Sequence, residues 1–189
     1  MSARGVRRPM ALREVCACAM LTAVLCVCAM VTIPLGPIPI TLGVFALGLI
    51  ALLLPLRCAV ASVVVYMLLG LCGLPVFSGG GSGFGVLLGP TGGYLWSYPL
   101  MVALAVLLRR QASRAGRLRL VKLVGSCEAG MALCYLCGTV QYALYARISF
   151  LQALRVAVLP FLLVDFLKFL LAAWIALRLE PVADRYFRA

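Results

Sequence analysis

The sequence predicts an all-α integral membrane protein, a bundle of six transmembrane helices with both termini in the cytoplasm. Three observations lead there. Hydrophobic residues make up 65% of the 189 positions and the mean hydropathy is +1.14, too little polar surface to cover a sphere of this size in water. The apolar residues gather in runs long enough to cross a hydrocarbon core about 30 Å thick. Of the 17 lysines and arginines, against five acids, all but Lys168 fall in or at the edges of the breaks between those runs, and they do so asymmetrically.

Taken in order, the predicted spans are residues 14–33, 40–56, 59–77, 92–108, 123–145 and 154–177, forming one transmembrane domain over 1–189. The fourth reaches spanning length only if its helix starts near Gly92. Arg4, Arg7, Arg8 and Arg13 precede the first span, which is too long for a signal-peptide core and shows no small-residue cleavage site. With the N-terminus inside, inner connections hold those four, Arg57, then Arg109, Arg110, Arg114, Arg117, Arg119 and Lys122, then Arg178, Arg185 and Arg188. Outer connections hold only Arg147 and Arg155. That bias is the positive-inside pattern, and six crossings keep it consistent. It also accounts for the net charge of +12 without nucleic acid, since no basic stretch is interleaved with aromatics for stacking.

The nine cysteines read as small apolar packing residues. Residues two apart on a helix point about 200° apart, so Cys16/Cys18 and Cys26/Cys28 do not clamp one ion. Cys134 and Cys137 share a face, but no second pair and no histidine supports a metal or redox centre. No cofactor and no metal are expected.

The last span carries Asp165 and, three residues later, Lys168. A charge in hydrocarbon costs several kcal/mol and is normally kept for function or for pairing. The spacing of three puts both on one helix face, which must turn inward. On a helix entering from outside, Asp165 lies roughly 10–17 Å deep. Two roles stay open: holding a neutral ligand with N–H groups beside a carbonyl or carboxylate, and a mutual ion pair that fixes helix packing. Thr41 opens the second span and lies on the same outer side. So does the run 78–94, SGGGSGFGVLLGPTGGY, with eight glycines. That run either aims backbone groups at a ligand or serves as a re-entrant connector. Ala19 and Ala23 form a small-xxx-small pair that faces either a partner helix or the bundle itself.

The segments IPLGPIPITL, GLPVFSGGGSGFGVLLGPTGGYL and PFLLVDFLK resemble the BioY family, the biotin-specific membrane (S) components of energy-coupling-factor (ECF) vitamin transporters. The similarity runs from about Ala17 to Leu177. It implies capture of biotin from outside, with no catalysis by the chain. Release inward is driven by a transmembrane coupling subunit and paired ABC ATPases, in a bacterial cell membrane. The ligand contacts that the resemblance carries over are Thr41, Gly89, Gly92, Tyr94, Leu95, Asp165 and Lys168. Ala19 and Ala23 become the place where the coupling subunit meets the first helix. Gly43 after PITL, Val164 before the acid, and Ser97–Tyr98 after GGYL depart from the family's pattern. The rival functions are an S component for another small vitamin, a thiol-dependent membrane enzyme using Cys134 and Cys137, and a structural protein without ligand.

Overall fold

The computed structural model describes residues 10–34, 38–112 and 118–188. These residues form eight helices and one two-stranded ribbon: α1 Leu12–Met30, β1 Thr32–Ile33, β2 Ile40–Thr41, α2 Gly43–Leu53, α3 Leu56–Leu71, α4 Phe84–Leu88, α5 Gly92–Ala112, α6 Arg119–Ala146, α7 Phe150–Ala157 and α8 Leu159–Arg188. Four of the helices, in α1, α5, α6 and α8, are long and apolar enough to cross a membrane. The shorter apolar helices are α2 and α3, with 11 and 16 residues.

Two of the predicted spans are cut at proline. Leu54 is extended (φ −92°, ψ 149°) before Pro55, which caps the start of α3. A residue preceding proline is pushed out of the α region, so the helix predicted to reach position 56 stops at 53. Its predicted start, Ile40–Thr41, is instead a strand pairing antiparallel with Thr32–Ile33. The span predicted over 154–177 is two helices. Val158 breaks the helical geometry (φ −128°, ψ −51°) just before α8, where Pro160 occupies the first turn and costs no helix hydrogen bond. α7 begins on a capping box in which Ser149 Oγ accepts from Gln152 N and Gln152 Oε1 accepts from Ser149 N.

Helices in lipid associate through close packing and interhelical hydrogen bonds, because the lipid is as apolar as leucine. Both devices are present. The α5–α6 hairpin is the most intimate pair, and glycine makes it so: a Cβ on Gly93 would come within 2.7 Å of the Cys137 carbonyl, and one on Gly138 within 2.4 Å of the Tyr94 ring. Between α1 and α3, Thr22 Oγ1 donates to the Ser62 carbonyl at 3.1 Å and Ser62 Oγ to the Cys18 carbonyl at 3.3 Å. Antiparallel α6 and α8 are tied at one level by Tyr135 to Asp165 and near their other ends by an Arg119–Glu180 ion pair. Leu25, Leu47, Ile50, Phe77, Met101 and Phe169 fill the interior, while Met20, Val27, Leu163, Leu167 and Trp174 stand outward, as expected of a belt facing lipid tails.

Candidate ligand-binding site

A cavity of about 710 Å³, the open space at its mouth included, lies among α1, α2, α3, α5, α6 and α8. Its walls are mostly apolar and aromatic, with Tyr66, Tyr94, Tyr98, Met131 and Phe161 among them. A few polar groups converge on it, which is the usual composition of a small-molecule site. The chemistry concentrates at Asp165. Lys168 Nζ donates to Asp165 Oδ1 at 2.7 Å, and Tyr135 O–H donates to Asp165 Oδ2, also at 2.7 Å. The Asp165 side chain is 3% exposed and that of Lys168 11%. A buried carboxylate so held is fixed in place, and an ammonium lies beside it. The pair offers one acceptor and one donor side by side, which complements the N–H/C=O edge of a cyclic amide or urea.

Of the residues expected to meet a ligand, Thr41, Tyr94, Leu95, Asp165 and Lys168 line this one cavity. Gly89 and Gly92 are not among its lining residues and do different work. The Gly89 and Leu87 carbonyls both accept from Gln141 Nε2 at 2.9 Å. A Cβ on Gly92 would lie 1.8 Å from the Leu87 carbonyl oxygen. These glycines let the loop fold tightly onto α6, so that α5 starts where Tyr94 and Leu95 reach the cavity. Pro99, inside α5, has no N–H to give the Leu95 carbonyl one turn back. Tyr94 O–H donates to the Ala157 carbonyl at 3.2 Å, tying the start of α5 to the α7–α8 break.

Sequence reasoning missed Tyr135, Tyr66 and Gln141, and named Tyr98 only as a departure from the family pattern and Ser78 only as the start of the glycine-rich run. The available signal was a phenol or amide inside an apolar span, whose polar tip must find a partner when buried. Ser78 also lines the cavity, and its Oγ is buried with no hydrogen-bond partner among the described residues. Cys134 is buried behind the cavity wall, accepting from Ser97 Oγ at 3.0 Å. Ala19 and Ala23 are exposed on α1 beside Met20 and Val27, on the face opposite the buried Ala17, Leu21 and Leu25.

The sequence profile of the BioY family matches residues 2–185. The chain belongs to the BioY family. It is 36% identical over 172 residues to the biotin transporter BioY of Thermotoga maritima, covering 90% of this chain and 98% of that protein. Against the biotin transporter BioY2 of Lactococcus lactis subsp. cremoris, identity is 32% over 162 residues, or 85% and 86% of the two chains. The fold is similar to a crystal structure of the S component for biotin from an ECF-type ABC transporter, with TM-score 0.80, 25% identity, and coverage of 92% and 95%. Family and fold are those of a transporter's substrate-binding component and not of an enzyme. With its membrane-length helices, this BioY-family chain is a membrane protein.

Proposed function

We propose that the chain is the biotin-binding S component of an ECF-type importer, capturing biotin from the outside and releasing it inward only in complex. The observation that carries this is the buried Asp165–Lys168 pair at one aromatic-walled cavity in a BioY-family chain. Biotin has a cyclic urea, and its N–H and C=O fit the acceptor of Asp165 and the donor of Lys168. Tyr94, Leu95 and Thr41 take part in the wall, with Tyr66 and Tyr98 adding ring surface; Gly89 and Gly92 act by shaping the loop. Six crossings with both termini inside remain our topology, the 11-residue α2 and 16-residue α3 supplying the two short ones within a single transmembrane domain. The membrane is then the bacterial plasma membrane.

Binding alone only redistributes a ligand between states, so accumulation needs a coupled energy source. The coupling subunit and its ATPases supply it, and the exposed Ala19 and Ala23 give the coupling subunit a surface for close helix approach. The test is a biotin titration of the purified chain in detergent, with mass spectrometry for co-purifying ligand. Saturable biotin binding that thiamine and riboflavin do not compete is expected. Absence of biotin binding would overturn the assignment. Ala19→Trp should leave that affinity unchanged and abolish labelled-biotin uptake by cells carrying the partner subunits; lost binding would instead place this face in the bundle's own packing.

A further inference from the structure

Each oxygen of Asp165 accepts one hydrogen bond in this structure, Oδ1 from Lys168 and Oδ2 from Tyr135, and the side chain is only 3% exposed. Each oxygen keeps a second lone pair, but at a carboxylate this buried an arriving N–H donor crowds one of the two resident donors. They differ in freedom. The Tyr135 hydroxyl is carried on a rigid ring, and the residue is 7% exposed. Lys168 carries its ammonium on a flexible four-carbon stem with three rotatable donors.

α6 carries a second acid. Glu128 on α6 has a buried Oε1 with no hydrogen-bond partner among the described residues, an expensive condition for a polar atom in hydrocarbon. Glu128 lies seven residues before Tyr135, two turns along one face of α6, with the cavity-lining Met131 between them. Seven residues beyond Asp165 on antiparallel α8 is Ala172. Glu128 is thus level with Ala172, one turn deeper than Lys168, or about 6 Å along the axis. The Arg119–Glu180 pair near the far ends of the same helices agrees with that register. Asp165 is itself near enough to act electrostatically on Glu128.

We propose that Glu128 is a second seat for Lys168: ligand capture at Asp165 turns the ammonium toward Glu128, while Lys168 keeps a donor for the ligand's carbonyl. This rests on the biotin reading. It makes Glu128 a positioning residue that touches no ligand, and binding becomes an exchange of partners that strands no buried ammonium.

The experiment is a double-mutant cycle on the full chain in detergent, read as the biotin dissociation constant. Glu128→Gln should weaken binding about tenfold, the worth of a hydrogen bond to a charged group. Glu128→Asp should restore most of the affinity. In a Lys168→Met background Glu128→Gln should change nothing further. Unchanged affinity in Glu128→Gln, or an equal loss with Lys168 already replaced, overturns the exchange while leaving biotin binding intact. No biotin binding by the unsubstituted chain removes both. Should the variants fail to fold, a structure of the unsubstituted chain with biotin decides: Nζ within hydrogen-bond distance of Glu128 is expected, and Nζ still on Asp165 with Glu128 unpartnered refutes the proposal.

Discussion

The glycine-rich run 78–94 and the acid–lysine pair of α8 both read as ligand contacts in the sequence, yet they reach the cavity by different routes. Asp165 and Lys168 line it directly. Gly89 and Gly92 are not among its lining residues and let backbone approach closely beside it, while Tyr94 and Leu95 of the same segment line it. A charge inside an apolar span has few reasons to be there, so its presence points at a site. A glycine has many, because close approach to a ligand and close approach to another helix impose the same requirement for no side chain.

Three substitutions test that contrast, from the largest effect to the smallest. Gly92→Ala drives a methyl into the Leu87 carbonyl and against Gln141 Nε2, 2.5 Å away, where backbone has little room to retreat. Overpacking of this kind costs about 3 kcal/mol or more. The expected result is loss of monodisperse protein, or a much lower melting temperature in detergent, with biotin binding lost as a consequence. A well-folded Gly92→Ala with selectively lost binding would return Gly92 to the ligand's first contacts.

Asp165→Ala removes the acceptor and leaves ligand donors unpaired in a dry site, costing on the order of 1–3 kcal/mol, or roughly 5- to 150-fold in affinity. Lys168 loses its buried counter-charge at the same time, so stability must be followed alongside. If the pair serves packing alone, a double neutral replacement of Asp165 and Lys168 rescues the fold and both single variants are unstable. If it serves the ligand, the double variant folds and does not bind. Gly85→Ala should do almost nothing, since a Cβ there meets no atom within 4 Å and its backbone is not in the left-handed region. A large effect of Gly85→Ala on biotin affinity at unchanged melting temperature would mean that the glycine run touches ligand after all.

Much of the helical layout was legible because hydrophobic run length is a one-dimensional property. α5 starts at Gly92 as expected, and α1 and α6 differ from their predicted spans by a few residues at each end. The misjudged boundaries fall at Pro55 and at Val158–Pro160, where a local steric rule overrides hydrophobicity. The end of α3 at Leu71 rather than 77 reflects Phe77, whose ring folds back onto Gly70 and packs edge-on at 5.6 Å against Tyr66. That contact depends on chain reversal and leaves no trace in hydropathy. Asp165 and Lys168 were visible as anomalies in an apolar run; Tyr135 was not, because a tyrosine in such a run is ordinary.

The sequence by itself determined that this chain belongs in a membrane, which connections carry the positive charge, and that the last helix holds a polar pair needing shelter. Those follow from transfer free energies summed along the chain, which depend on composition and order alone. Only the tertiary structure decided which donors shelter Asp165, that the Leu87 and Gly89 carbonyls meet Gln141, and that Glu128 has a buried oxygen with no partner among the described residues. Those follow from the rotation and register of α5, α6 and α8 against one another. The glycine contacts and interhelical hydrogen bonds that set them join residues tens of positions apart, and nothing local in the sequence records which will meet.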